Sequence, residues 1–154
     1  MPAALPPLQD CNCFAVRSAA RHLTQFYDQF VAPLGLRATQ FSILARLKRK
    51  GPSTINALAE ELVMDRTTLG RNILPLKREG LIRIEAAASD RRAKELHLTK
   101  AGEKRMKEAL KGWSQAQGQF EAKFGPRRAA DLRGLLRAVI ASGLMPAEQF
   151  ASRS

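Results

Sequence analysis

The arginines of one short segment are the side chains best placed for chemistry in this sequence, and the chemistry they suit is anion binding. The stretch SDRRAKELHLTKAG contains Asp90, Arg91, Arg92 and Lys94 within five positions. A guanidinium binds a phosphate through two parallel hydrogen bonds. Asp90 would repel phosphate, so we expect it to hold a neighbouring arginine by a charge-assisted hydrogen bond. The segment predicts a contact with a polyanion.

A second basic segment, DRTTLGRNILPLKREG, has the periodicity of a helix. Leu69, Ile73 and Leu76 recur at helical spacing and predict a buried stripe. The polar residues beside and opposite that stripe are Arg66, Thr67, Thr68, Arg71 and Arg78. Arginine pairs bidentately with guanine, and threonine contacts a phosphate or a thymine methyl group. A solvated helix face is the alternative interpretation of this segment taken alone.

The overall charge favours binding to a polyanion as the role of both segments. The chain has 154 residues, a formal charge of +12 and a pI near 10.7, which indicate a nucleic acid or an anionic membrane surface as partner. No stretch is apolar enough to span a bilayer, and the basic residues do not follow one amphipathic helix, so a membrane role is disfavoured. The N-terminal MPAALPPLQD has no basic start and no apolar core, which predicts a cytoplasmic protein.

No enzyme site is apparent in the sequence. It has no glycine-rich phosphate loop and no serine, histidine and aspartate constellation, and its two histidines and two cysteines do not have the spacing of a metal site. We therefore expect no catalytic residues, no metal and no cofactor. A thiol peroxidase that uses Cys13 is the enzymatic alternative.

Helices and one hairpin must position the two basic segments. Apolar periodicity predicts a first helix over residues 12–31, a second that Thr39 caps and Gly51 ends, a short third in STINALAEEL, and a fourth that begins after Asp65 and ends at Gly80. The alternating runs LIRIEA and KELHL predict an antiparallel hairpin with AASDRRA as its loop. A long helix from Thr99 carries a heptad-like seam, and a last helix follows Gly125-Pro126. The seam comprises Met106, Leu110, Trp113, Gln117, Phe120 and Phe124.

Two short helices joined by a tight turn and followed by a hairpin predict a winged helix-turn-helix. The fourth helix would enter the major groove of double-stranded DNA with its N-terminal residues at base edges. The hairpin tip would place Arg91 or Arg92 in the adjacent minor groove. We therefore predict a mainly α-helical fold with a small β-hairpin wing.

This order of elements resembles the MarR family of bacterial transcription regulators. The resemblance is carried by LGLRATQFSIL, LAEELVMDRTTLGRNILPLKREGLI and DRRAKELHLTKAGE, and it covers residues 12–142. It implies a homodimer that binds a palindromic operator, most often as a repressor. Residues 11–35 and 99–144 would form the helical dimerisation domain and residues 36–98 the winged DNA-binding domain, between an irregular arm (residues 1–10) and a tail (residues 145–154). Val63 stands where such turns often carry glycine.

The stretch CNCFAVRSAARHLTQFYD is similar to the start of the organic hydroperoxide regulators, a MarR subgroup. That resemblance implies that Cys13 is a reactive cysteine and that Tyr27 hydrogen-bonds its sulfur from the partner subunit. Arg17 stands where the subgroup has a second tyrosine. A helix N-terminus and a nearby arginine favour the thiolate, and Cys11 would act as a resolving thiol more easily across the dimer than within one chain. Packing as a small hydrophobe is the alternative role of Cys13.

A pocket for a small aromatic effector is the competing prediction for a sensor. The residues that could supply its aromatic wall and polar handle are His22, Tyr27, Phe41 and Trp113. Core packing is the alternative role of each. A third functional class, an architectural nucleic-acid binder without a regulated operator, is also compatible with the high charge.

Overall fold

The computed structural model describes residues 4–144. The chain comprises two compact units, residues 1–116 and residues 117–154. The first unit begins with a 3₁₀ turn, Leu8–Asp10, within the N-terminal arm. Its helices are α1 (Asn12–Val31), α2 (Ala38–Lys50), α3 (Ile55–Glu61), α4 (Arg66–Arg78) and the larger part of α5 (Lys100–Phe124). The helix predicted over residues 12–31 is confirmed, and Gly35 with a φ of 71° follows the short 3₁₀ turn that ends this segment.

A three-stranded antiparallel sheet lies beside these helices. Its strands are β1 (Ser53–Thr54), β2 (Ile82–Ala86) and β3 (Lys94–Leu98), in the order β1-β3-β2. The predicted hairpin is confirmed, with Ile84 opposite Leu96 and residues 87–93 as its loop. The sequence prediction missed β1, which pairs Ser53 with Leu96 on the other edge of β3. A third strand therefore holds the hairpin along the middle of β3.

The core of the first unit fills the space between α2, α3, α4 and the sheet. Its most completely buried large side chains are Val31, Ile43, Leu44, Leu58, Leu69, Leu76, Leu81, Ile82 and Leu96. Leu69, Ile73 and Leu76 are the buried residues of α4, as their spacing predicted. Because α4 buries this stripe, its opposite side faces outward.

The start of α2 corrects the prediction that Thr39 caps this helix. The helix begins at Ala38, so Thr39 already lies inside it. The backbone N–H of Ala38 donates to Oδ1 of Asp28 at 2.7 Å, and that of Arg37 donates to Oε1 of Gln40 at 3.0 Å. The capping oxygen thus comes from α1, ten residues earlier, and ties α1 to α2.

A close approach between the end of β3 and α5 fixes the base of the hairpin. The hydroxyl of Thr99 donates to the carbonyl of Gly80 at 2.7 Å and accepts from the N–H of Gly102 at 3.0 Å. A Cβ at Gly102 would lie only 2.0 Å from the carbonyl oxygen of Leu81. Only glycine fits at this position without a shift of the backbone.

The described part of the second unit, residues 117–144, comprises the end of α5 and α6 (Pro126–Ala141). Gly125, with a φ of 104°, separates the two helices, and Nη1 of Arg133 on α6 lies 3.0 Å from Oε1 of Glu121 on α5. The apolar residues Leu135, Val139 and Ile140 of α6 are 68%, 57% and 64% exposed. The tail predicted for residues 145–154 lies outside the described residues.

The heptad-like seam predicted for α5 is buried only in part. Met106 is buried, whereas Leu110 is 44% exposed. The other buried residues of α5 are small, namely Gly102, Ala109 and Ala116. Within residues 4–144, no helix combines the length and the apolar character that are needed to cross a membrane.

Candidate nucleic-acid interface

The N-terminus of α4 is fixed by a carboxylate cap. Asp65 accepts a hydrogen bond at 2.8 Å from the backbone N–H of Thr68 through Oδ1, and one at 2.6 Å from the Thr68 hydroxyl through Oδ2. The hydroxyl and then the N–H of Thr68 hold the pKa of Asp65 below its ordinary value. The Asp65 carboxylate therefore remains ionised, and it occupies the hydroxyl hydrogen of Thr68. The Thr68 side chain can then offer a partner only the lone pairs of its oxygen and its methyl group.

The exposed side of α4 presents the residues that the sequence marked for DNA. Arg66, Thr67 and Arg71 are all exposed, and Arg71 follows Thr67 by one turn. Arg78 is exposed as well, but it is the last residue of the helix, about 18 Å along the axis from Arg66. The first turns of α4 thus bring Arg66, Thr67, Thr68 and Arg71 together, and Arg78 lies apart.

The arginines on the exposed side of α4 are among those of the described chain that form no ion pair. Within residues 4–144, none of Arg66, Arg71 and Arg78 forms an ion pair. The paired arginines are Arg46, Arg83, Arg105 and Arg133, each within 3.0 Å of a glutamate oxygen. The exposed side of α4 therefore offers guanidinium groups that none of the described carboxylates neutralises.

The wing tip is a turn that its own aspartate organises. Oδ1 of Asp90 accepts from the backbone N–H of Arg92 at 2.9 Å, and the carbonyl of Asp90 accepts from the N–H of Ala93 at 3.0 Å. Asp90 thus holds a neighbouring arginine by a charge-assisted hydrogen bond, as expected, but it does so through the backbone N–H of Arg92 two residues ahead and not through the guanidinium. Arg91, Arg92 and Lys94 are exposed, and no described carboxylate pairs with them.

The turn between α3 and α4 contains the one backbone strain of the described chain. Val63 has a φ of 53°, and it is the only non-glycine residue with a positive φ among the described residues. Its N–H donates to the carbonyl of Glu60 at 3.1 Å, and its side chain is 67% exposed. The turn thus adopts the left-handed conformation that glycine favours, with a β-branched residue in place.

The cysteines lie at the start of α1. Cys11 is the N-cap residue, Cys13 is in the first turn, and both are free and exposed. Arg17, one turn after Cys13, is exposed as well. Tyr27 follows Cys13 by fourteen residues, or about 21 Å along the helix, so the two side chains of one chain do not meet. Cys13 is therefore not packed within the described chain.

Two of the four predicted pocket residues line one cavity. Phe41 and Trp113 stack with their ring centroids 6.0 Å apart, in a cavity of about 510 Å³ between α2 and α5. His22, which is exposed, and Tyr27, which is half-buried, do not line this cavity. The prediction that they share it with Phe41 and Trp113 is corrected, because they lie on α1 and the wall is built by α2 and α5.

Charged groups at the rim of this cavity were not predicted. Nε of Arg46 on α2 donates to Oε2 of Glu61 on α3 at 2.6 Å, and the ammonium of Lys50 pairs with the other oxygen of the same carboxylate. Lys50 and Arg46 hold the pKa of Glu61 below its ordinary value. The spacing of fifteen residues between Arg46 and Glu61 gives no helical signal, so the sequence did not reveal this cluster. Within residues 4–144, no group of histidine, cysteine, aspartate and glutamate is arranged to hold a metal ion.

Comparison with protein families gives one match. The model of the MarR family matches residues 34–93, a range that includes α2, the sheet strands β1 and β2, α3, α4 and the wing tip. Among curated protein sequences, none matches the chain significantly.

Comparison with solved structures gives many significant matches. The transcriptional regulator MosR of M. tuberculosis in complex with DNA is 39% identical, with a TM-score of 0.74, and the match covers 87% of this chain and 99% of that one. A second structure of MosR is 34% identical over 88% of this chain and 99% of that one, with a TM-score of 0.75. A probable transcriptional regulator from Pseudomonas aeruginosa is 28% identical over 86% and 99% of the two chains, with a TM-score of 0.75.

Proposed function

The chain belongs to the MarR family and is a DNA-binding transcriptional regulator, and from this premise we propose that it is a homodimeric repressor of a palindromic operator. The observation that carries the proposal is the set of unpaired arginines on two separate elements. Arg66 and Arg71 lie on the exposed side of α4, and Arg91 and Arg92 lie at the wing tip. The protein acts by binding, not by catalysis, and a bacterial cytoplasm is the compartment that this role implies.

The two elements have different tasks on DNA. The first turns of α4 enter the major groove, where Arg71 or Arg66 donates to O6 and N7 of a guanine and Thr67 contacts a phosphate or a thymine methyl group. The wing tip follows the backbone and places Arg91 or Arg92 in the minor groove. Lys94 and Arg78 contact phosphates on either side. The backbone hydrogen bonds of Asp90 keep the loop in one conformation, which lowers the entropic cost of binding.

Three variants test this division of tasks. Arg71→Lys keeps the charge but loses the planar fork, so we expect it to weaken specific binding by about 1–3 kcal/mol and to leave non-specific binding nearly unchanged. Arg91→Ala should weaken binding to all sequences and reduce the salt slope by about 1. Lys111→Ala, which removes a charge from an exposed position of α5, is the control. Equal losses of specific and non-specific affinity in Arg71→Lys would show that α4 does not read bases.

The dimer uses the apolar residues that each chain leaves exposed. Phe14 and Val16 of α1 are 40% and 42% exposed, and α6 exposes Leu135, Val139 and Ile140. Residues 11–35 and 99–144 form the dimerisation domain in this proposal, and residues 36–98 form the winged domain. Sedimentation of Ile140→Glu should show a monomer. Arg137→Glu, on the polar side of α6, is the matched control and should remain a dimer.

An effector that releases the repressor has two candidate sites, and the first is the cavity at Phe41 and Trp113. Its volume of about 510 Å³ is within the range of small-molecule sites. Arg49 and Lys48 add positive charge to the lining, which suits an aromatic acid. A carboxylate that binds Arg46 would compete with Glu61 and so loosen α3 from α2. The tryptophan at position 113 is the only one in the chain, so its fluorescence reports directly on this cavity.

The second candidate is the thiol pair at the start of α1, which would make the chain a sensor of organic peroxides. The exposed thiolate of Cys13 attacks the outer oxygen of the hydroperoxide, which yields a sulfenic acid and releases the alcohol. A second thiol, Cys11 of the partner subunit, then attacks this sulfur and releases water. Arg17 stabilises the thiolate, and Tyr27 of the partner subunit approaches the oxidised sulfur.

One experiment separates the two candidates. Operator binding is measured with benzoate, with benzyl alcohol, and with an organic hydroperoxide, for the wild type and for Cys13→Ser. Release of the wild type alone by the hydroperoxide, with a cross-linked dimer on a non-reducing gel, supports the thiol sensor. Release of both proteins by benzoate, with quenching of Trp113 and no effect of benzyl alcohol, supports the cavity. An oxidised species that migrates as a monomer would contradict pairing between the subunits.

The alternative of an architectural protein is tested by footprinting. An architectural protein protects no defined sequence in the presence of random competitor DNA, whereas the proposed repressor protects an inverted repeat.

A further inference from the structure

Gly70 occupies a position of α4 where the fold itself gives no reason for glycine. It lies in the middle of the helix, and a Cβ built at this position meets nothing within 4 Å. A glycine inside a helix destabilises it by about 0.5–1 kcal/mol relative to alanine. Gly102 of α5 is a contrasting case, because its Cβ would collide with the carbonyl oxygen of Leu81. The chain therefore leaves the space beside Gly70 open, as it does beside the helical glycines Gly118 and Gly134.

Leu74 is the second unusual residue of the same surface. It follows Gly70 by one turn, and its side chain is 54% exposed, although α4 buries its other leucines. Gly70 and Leu74 line a recess of about 390 Å³ whose apolar lining includes Ile73 and Ile84. Its polar lining comes from Arg66, Thr67 and Lys77. An apolar recess with cations at its edge is thus part of the outward surface of α4. We call it the α4 recess.

We propose that the α4 recess binds the 5-methyl group of a thymine in the operator. Thymine is the base that presents a methyl group in the major groove, and apolar side chains are the groups that read it. Arg66 and Lys77 at the edge would contact the phosphates that flank this base, since phosphates are the anions nearest to a major-groove base edge. Gly70 lets the base edge approach the helix backbone, and Leu74 supplies the apolar contact. Leu74 and Gly70 are therefore specificity-determining residues, in addition to Arg71.

The inference rests on the proposed function, since it requires an operator that α4 reads. The operator is first selected from random duplexes. Each thymine of one half-site is then replaced by deoxyuridine, which removes the methyl group and keeps the hydrogen-bonding edge. We expect one thymine per half-site whose replacement lowers the affinity about three- to fivefold, the effect of one methyl group removed from an apolar contact. Replacement at the other positions should have no such effect.

Variants of Leu74 connect this effect to the recess. Leu74→Ala should bind the thymine and the deoxyuridine duplexes with equal affinity, whereas Leu74→Met, which keeps an apolar side chain, should still discriminate between them. Because Leu74 is more than half exposed, we expect both variants to fold. The salt slope should be the same in all three proteins, since the phosphate contacts are unchanged.

Gly70→Ala separates the fold from the interface. It should raise the thermal midpoint, because the added methyl group meets open space and improves helix propensity. It should also lower the operator affinity about tenfold or more, because the methyl group fills the space of the approaching base edge. If the operator affinity is unchanged, the recess does not receive a base.

The failures of the two proposals are distinguishable. A wild-type protein that selects no sequence refutes the proposed function. Two results would refute the recess and leave the proposed function intact. In the first, the protein selects an inverted repeat, but no replacement of a thymine by deoxyuridine lowers its affinity. In the second, Leu74→Ala still discriminates between the thymine and the deoxyuridine duplexes.

Discussion

Replacement of Val63 by glycine should stabilise this protein, although it removes an apolar side chain. Val63 lies in the turn between α3 and α4 with a φ of 53°. In this conformation the Cβ of an L-residue crowds the following carbonyl oxygen, and a β-branched side chain has little freedom to relieve the crowding. Glycine has no Cβ and adopts the same φ without strain.

The magnitude follows from three contributions. Removal of the left-handed strain gains roughly 1–2 kcal/mol, and the upper end of this range applies to a β-branched residue. The greater conformational freedom of glycine in the unfolded chain offsets about 0.5–1 kcal/mol of this gain. The side chain is 67% exposed, so the loss of apolar burial is small. The net gain is about 1 kcal/mol, which corresponds to a rise of about 2–4 °C in the thermal midpoint of a chain of this size.

Calorimetry and chemical denaturation of Val63→Gly and Val63→Ala test this reasoning. The alanine variant loses the β-branch but keeps a Cβ in the left-handed region, so it should gain less than the glycine variant. Protein concentration is held constant because an oligomer has a concentration-dependent midpoint. A glycine variant that is no more stable than the alanine variant would refute the claim of strain at this turn. Operator affinity should not change, since the turn keeps its conformation.

Three further predictions concern the elements that hold the interface. Gly102→Ala should lower the unfolding free energy by about 1–3 kcal/mol, because its Cβ would displace the carbonyl of Leu81; an unchanged denaturation midpoint would contradict the close approach. Asp65→Ala should lower the unfolding free energy by about 1 kcal/mol through loss of the α4 cap, whereas Asp65→Asn should retain most of this stability. Denaturation curves that coincide for the two variants would contradict the capping role. Hydrogen bonds from Lys107 and then Lys48 lower the pKa of Glu103 from 4.5 to about 2. The folded state thus favours ionised Glu103, and its contribution is complete above pH 4.5 and disappears as the pH falls toward about 2. The wild type should therefore lose more stability over this range than Glu103→Gln does, and parallel pH profiles would contradict the ion pair.

The sequence was sufficient to predict those elements whose signal is local. The apolar spacing of α4, the cap at Asp65 and the alternation of the two hairpin strands each involve residues less than ten positions apart. These local patterns also placed Arg71 on the exposed side of α4. Because each pattern is set by the backbone period and by a neighbouring side chain, it can be read without knowledge of the tertiary structure.

The features that the sequence analysis missed depend on residues far apart in the chain. The strand β1 has two residues, too few to show an alternation, and it forms only because β3 offers a free edge. The cap of α2 comes from Asp28, so Thr39 was a reasonable but wrong candidate. The ion pairs of Glu61 require the packing of α3 against α2.

The most direct test of the central claim is selection of binding sites from random duplex DNA by the purified protein. Binding of a dimer through α4 and the wing predicts an enriched inverted repeat whose half-site centres are about 10 base pairs apart, or a multiple of this distance. It also predicts that Arg71→Lys selects the repeat less strictly while it retains non-specific binding. Enrichment of no sequence, or of a single unrepeated site that Arg71→Lys selects equally well, would contradict the account.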